Sequence, residues 1–232
     1  PEPEPDPNKV KFTGTIAYED GTEISNDTVR IQMCASSCVR GQLTENGGFE
    51  FSSLSAGTYS FDVVPLAGED NRYASVLDFI TLVEGEGERN IDNIITIPTF
   101  ATSTTVTMDE FEAQDGLIIN MDPSSFEPLN ESHTEIYAVS VDPNSSGLTF
   151  ETLSAGTIVK LWHLGPFESH VENWSFRIEN LDYPEGTEFQ LYSANYANIE
   201  WTDLGTAIVN ENGTLHSTTE LSVLSSLILV QN

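Results

Sequence analysis

Gly41-Gln-Leu-Thr-Glu-Asn-Gly-Gly-Phe-Glu-Phe-Ser-Ser-Leu-Ser-Ala-Gly-Thr-Tyr-Ser-Phe-Asp-Val63 decides the fold. It reads as a strand, an Asn46-Gly47-Gly48 turn, a second strand, a Ser55-Ala56-Gly57 corner and a third strand. The turn needs positive φ, which Gly and Asn adopt cheaply. Phe49 and Phe51 alternate with Glu50, and Tyr59, Phe61 and Val63 alternate with Ser60 and Asp62. A period of two sends the aromatics to a buried face and the polar residues to water.

Outward from this stretch the alternation continues. Val10, Phe12, Gly14 and Ile16 share one face of a first strand, and Val29, Ile31 and Met33 one face of a second. Residues 76–83 and 91–97 read as closing strands. Short strands at this spacing, with Gly and Asn at the turns and no helical periodicity, indicate a β-sandwich. Gly41 to Val63 resembles the signature G-x(n)-D/N-G-x-F-x-F-x-x-L-x-x-G-x-Y-x-F-x-V of carboxypeptidase-regulatory-like domains. For residues 9–98 the resemblance implies a transthyretin-like, seven-stranded sandwich. It implies no single activity, because such domains are accessories in several kinds of exported protein.

The second half repeats the style. Strands are read at 104–108, 116–121, 134–141, 158–164, 174–181, 188–193, 205–209 and 227–230. In Ile158-Val-Lys-Leu-Trp-His-Leu164 both faces are apolar, which suits a central strand covered on each side. Residues 184–192, then 201–209 and Asn212-Gly213-Thr214, are similar to a turn-and-core pattern of ZU5-like and related Ig-like bacterial surface domains. The expected fold class is therefore all-β, two tandem Ig-like/transthyretin-like β-sandwiches. The expected organisation is an acidic proline-rich tether at 1–8, the first sandwich at 9–98, a linker at 99–104 and the second sandwich at 105–232. Phe51 to Thr58 and Phe150 to Thr157 share Phe and Leu-Ser-Ala-Gly-Thr, read as reuse of one corner rather than duplication.

The net charge of −29, from 37 acidic and 8 basic residues, repels phosphate backbones and so excludes nucleic-acid binding. No apolar run approaches the ~20 residues of a membrane-spanning helix. No signal peptide is read, so a mature or trimmed form is expected. Pro1-Glu-Pro-Glu-Pro-Asp-Pro7 should be stiff and extended, and resembles the tethers of bacterial lipoproteins.

Cys34 and Cys38 are spaced C-x-x-x-C. They lack the helix start of a redox motif and the histidines of a zinc site, so they are read as a local disulfide in an oxidising compartment. Its short loop implies about 2 kcal/mol. His133, His163, His170 and His216 are scattered, with no zincin spacing, and no serine sits in G-x-S-x-G. Glu19 to Glu23, Glu69 to Asn71 and Asp142 to Asn144 offer oxygens to calcium, but solvated acidic turns are the favoured reading and no cofactor is expected. Asn26, Asn130, Asn144, Asn173 and Asn212 each begin an N-x-S/T sequon. Trp162, Trp174 and Trp201 suit core positions better than a sugar-stacking platform.

The expectation is a non-catalytic protein, extracellular or on the outer cell surface, lipid anchoring included, acting in adhesion, spacing or assembly. Its partners would be proteins, copies of itself or surface glycans. One alternative is a filament subunit joined by strand addition, with Val10 and Phe12 plugging a neighbour's apolar slot. Another is an accessory domain of a secreted hydrolase.

Overall fold

The computed structural model describes residues 6, 8–44, 46–66, 72–153 and 156–231. Apart from Asp6 and Asn8, the expected tether and its contacts lie outside the described residues, as does the acidic turn at 69–71.

The chain is all-β, two β-sandwiches in tandem. The first is built from β1 (Lys9–Tyr18), β2 (Val29–Cys34), β3 (Cys38–Arg40), β4 (Gln42–Leu43), β5 (Gly48–Ser55), β6 (Gly57–Pro65), β7 (Val76–Leu82) and β8 (Glu88–Ile97). One sheet has the order β4-β5-β1-β8, the other β3-β2-β6-β7. The opening stretch links them. Gly47, at φ 75°, makes the β4–β5 turn and lies against the Ile16 carbonyl, where a Cβ would come within 2.2 Å. Ser55 pairs with Lys9 in the first sheet, and two residues on Gly57 pairs with Leu82 in the second. The Ser-Ala-Gly corner is thus the crossing between sheets. A bulge at Ser52-Ser53 leaves both serines exposed and lets Phe51 and Leu54 point inward together. Phe12, Phe49, Phe51 and Phe61 meet between the sheets with ring centroids 5.1 to 6.3 Å apart. Such contacts add about 0.5–1.5 kcal/mol per pair beyond area burial.

The second sandwich comprises β9 (Thr102–Thr105), β10 (Glu110–Glu112), β11 (Leu117–Asn120), β12 (Glu135–Val141), β13 (Thr157–Gly165), β14 (His170–Ile178), β15 (Glu188–Asn195), β16 (Glu200–Ile208), β17 (Leu215–His216), β18 (Leu221–Val223) and β19 (Ser226–Gln231). Six strands run β16-β15-β19-β13-β12-β9. The facing sheet runs β10-β11-β14-β17, with β18 also on β14. Trp162, Trp174, Phe176 and Phe189 fill the space between. The interval expected as a linker is bonded on both sides: Phe100 N–H donates to Arg72 O and Ala101 N–H to Ala138 O.

The sandwiches share a core. On β19, Leu227 and Leu229 face the second interior, while Ile228 and Val230 join the core of the first sandwich. Leu161, on β13, joins it too, so the strand read as covered on both sides is covered by both sandwiches. The expectation that polar residues of β6 face water is corrected here. Ser60 and Asp62 are 0% exposed, because the six-stranded sheet of the second sandwich covers that face. Phe79 meets Trp201 edge-on across this seam at 5.6 Å.

Candidate functional site

At one side of the seam the sandwiches part into a cleft of about 460 Å³. The first sandwich contributes Tyr18 at the end of β1, Arg30 on β2, Pro65 and Leu66 after β6, and Arg72 and Tyr73 before β7. The second contributes Leu129 and His133 from the approach to β12, and Pro166, Phe167 and Glu168 from the β13–β14 turn. Phe100 closes the end where the chain passes between them. Both halves are needed to form it.

Its first wall is ordered by hydrogen bonds. Tyr18 Oη donates to Thr28 O at 3.0 Å, and the Tyr18 and Tyr73 rings lie 4.2 Å apart. Tyr73 Oη donates to Asp20 Oδ2 at 2.9 Å, which also pairs with Arg72 at 3.0 Å. The Arg72 guanidinium rests over the Tyr73 ring at 5.4 Å. Arg30 differs. Lys11, Arg72, Arg89, Lys160 and Arg177 pair with carboxylates, whereas among the described residues Lys9, Arg30 and Arg40 have none within 4 Å. Of these three, Lys9 Nζ donates to Ser55 Oγ and Arg40 is exposed, which leaves Arg30. Among the described residues neither Arg30 Nε nor His133 Nδ1, both buried, has a hydrogen-bond partner. Orphaned buried nitrogens are uncommon in folded proteins and cost ~1–3 kcal/mol each. Opposite, burial pushes the Glu168 carboxyl above the usual carboxylate range, against the pull of Arg30 and then His170. Glu168 sits at φ 61°, a strained setting for a residue with a Cβ, with its N–H bonded to Leu224 O at 3.1 Å.

The residues singled out by sequence lie elsewhere. Cys34 and Cys38 are bonded to each other across the β2–β3 hairpin. Tyr196 Oη, from the second sandwich, stands 3.3 Å from Cys34 Sγ and 3.2 Å from Cys38 Sγ, so the bridge also serves the seam. Val10 and Phe12 are 0% exposed inside the chain's own core, which corrects their expected place at an assembly surface. Asn26, Asn130, Asn144, Asn173 and Asn212 are all exposed. Trp162 and Trp174 are wholly buried and Trp201 is 7% exposed, in core positions. Asp20 is taken up by Thr22, Tyr73 and Arg72, and Asp142 caps a short turn through Asn144 N–H. Among the described residues no three His, Cys, Asp or Glu side chains stand together as a metal set. His163 is buried against Ser226 at 2.8 Å, His170 and His216 are exposed, and His133 is the one that reaches the cleft.

Sequence reasoning missed Arg30, Tyr73, His133 and Glu168. Arg30 occupies a polar position of an alternating strand and reads as solvent-facing. The cleft residues are scattered from 18 to 168, so no motif gathers them. The one usable signal was the scarcity of cations, which makes an arginine inside a strand worth tracing.

No family model matches the chain, and no curated protein does. The likenesses to carboxypeptidase-regulatory-like and ZU5-like domains therefore stay resemblances. Among solved structures, a putative carbohydrate binding protein from Bacteroides uniformis overlaps 96% of this chain and 79% of its own, at 10% identity and TM-score 0.25. A DUF3823 family protein from Bacteroides ovatus overlaps 97% and 82%, at 10% identity and TM-score 0.27. The major pilin subunit of Bacillus cereus overlaps 92% and 86%, at 9% identity and TM-score 0.26. Overlaps at such scores carry no inference about function.

Proposed function

We propose that this is a non-catalytic, exported surface protein, acting in adhesion or spacing, whose recognition site is the cleft between its sandwiches. The observation that carries the reading is the cleft itself. It is walled by both sandwiches, and among the described residues its Arg30 Nε and His133 Nδ1 lack partners, whereas Lys11, Arg72, Arg89, Lys160 and Arg177 are ion-paired. Aromatic walls with a few convergent polar groups are the ordinary make-up of a ligand site. Leu66 and Leu129 stand on the rim, 41% and 69% exposed. The local disulfide and the acidic surface both suit an oxidising, salt-rich exterior.

The filament alternative draws on one feature. β16 is a nine-residue strand at the end of the six-stranded sheet, long enough to accept an added strand. It also carries Glu200, Asp203 and a bulge at its pairing with β15, devices that discourage such pairing. Adhesion or spacing is therefore preferred.

Antibody labelling of intact source cells, repeated after protease shaving, tests the surface reading. Labelling without permeabilisation, lost on shaving, is the expected result. Labelling that appears only after permeabilisation contradicts it.

A further inference from the structure

We propose that the cleft binds a neutral saccharide, one or two pyranose rings long, in preference to an anion. The inference rests on the cleft being the recognition site and names the ligand class.

Charge excludes much. Arg30 and Arg72 line the cleft, and Glu168 lines it with them, while Asp20 lies against Arg72. Among the described residues the two arginines are thus matched by two carboxylates. The chain around them carries −29, so an anion approaches against a repulsive field and finds no net positive charge on arrival. A polyanion is disfavoured for the same reason.

Hydrogen-bonding chemistry then chooses among neutral ligands. Among the described residues Arg30 Nε and His133 Nδ1 have no hydrogen-bond partner, and the Glu168 carboxyl has no ion pair within 4 Å. A guanidinium and a carboxyl that face one space without bonding each other can grip neighbouring hydroxyls: one donates and the other accepts. Thr22, Thr28 and Ser75 add hydroxyls to the same lining. Phe100 and Phe167 supply aromatic surface, which suits the C–H face of a sugar ring. Peptides match less well, because a chain terminus carries charge and its backbone offers no run of hydroxyls. A volume of about 460 Å³ falls within the ~300–1,000 Å³ of small-ligand sites.

The test is amide chemical-shift mapping on the isotope-labelled wild-type chain. D-glucose, D-galactose, D-mannose, N-acetyl-D-glucosamine and their β-linked disaccharides are titrated to tens of millimolar. D-galacturonate and N-acetylneuraminate form the acidic arm. We expect at least one neutral sugar to saturate, with shifts centred on Arg30, Tyr73, His133 and Glu168. In Arg30→Met and Glu168→Gln chains the affinity should drop at least tenfold, while Lys160→Met leaves it unchanged. If either cleft variant fails to fold, the wild-type map alone decides. Binding by none of the neutral sugars, shifts centred elsewhere, binding restricted to the acidic arm, or folded variants of unchanged affinity would each overturn the proposal. A chain that labels intact cells but binds no sugar loses this inference and keeps the surface reading. One that binds sugar but never reaches the surface does the reverse.

Discussion

Asp62 and Asp78 are carboxylates buried where the sandwiches meet, 0% and 1% exposed. Asp62 accepts from Gln32 Nε2 at 2.9 Å, and its other oxygen has no partner among the described residues. Burial pushes Asp62 up to about 7 and Asp78 up to about 6, from an ordinary value near ~3.9. The folded chain thus keeps protons that the unfolded chain releases. Stability from these groups is complete below about pH 4 and lost as pH rises through 6 and 7. His163 works in the opposite sense: burial pushes it down to about 4, so its contribution is present above about 6.5 and lost as pH falls. Two aspartates outweigh one histidine, so the melting temperature should be higher at pH 5.5 than at pH 8 at fixed ionic strength. Asp62→Asn removes the larger aspartate contribution. By scanning fluorimetry it should raise the melting temperature at pH 8, the equivalent of about 1–3 kcal/mol of stability, and raise it less at pH 5. An equal shift at both pH values would contradict this account of Asp62.

At the scale of elements, the segment 146–151 closes the first sandwich from outside. It runs along β7 and β8, the end strands of the two facing sheets. Ser146 O accepts Thr96 N–H, and Asp78 Oδ2 accepts from Thr149 N–H at 2.7 Å, Thr149 Oγ1 at 2.9 Å and Phe150 N–H at 3.3 Å. Glu151 accepts Thr81 N–H and pairs with Arg89. Between these fastenings Leu148, 8% exposed, enters the core of the first sandwich. Leu148→Ala should cost about 2–3 kcal/mol in urea unfolding, toward the lower end for a buried leucine because the site is at an edge. Gly147→Ala should cost at least as much, since its Cβ would come within 2.2 Å of Ile94 O at φ 79°. Losses below about 0.5 kcal/mol in both would show that the segment is merely laid on the surface.

This segment marks where legibility ended. The β4–β5 turn, the sheet-crossing corner and the Phe12, Phe49, Phe51 and Phe61 core were readable because each follows from local backbone chemistry and a period of two. The β13 strand was readable as doubly covered because both its faces are apolar. Residues 146–151 have neither turn signature nor periodicity, and their role depends on two strands some fifty to seventy residues away. Ser60 and Asp62 misled because a polar side chain at an alternating position looks solvated whether water or another sheet covers it. Arg30 was hidden for the same reason, while His133 and Glu168 lie in loops with no periodicity to read.

Taken whole, the molecule is two sandwiches in which the core of the first continues across the junction onto the outer face of the second's six-stranded sheet. Ile228, Val230, Ala194 and Trp201 of the second are buried with Phe79 and Leu77 of the first, and the Cys34–Cys38 bridge sits beneath Tyr196. The cleft exists only while this junction holds, so recognition and folding share the same contacts. The measurement closest to that claim is differential scanning calorimetry of the whole chain at neutral pH. A single endotherm whose calorimetric and van't Hoff enthalpies agree is expected, because neither sandwich can unfold without exposing the other's buried face. Two resolved endotherms, or a van't Hoff enthalpy near half the calorimetric one, would contradict it.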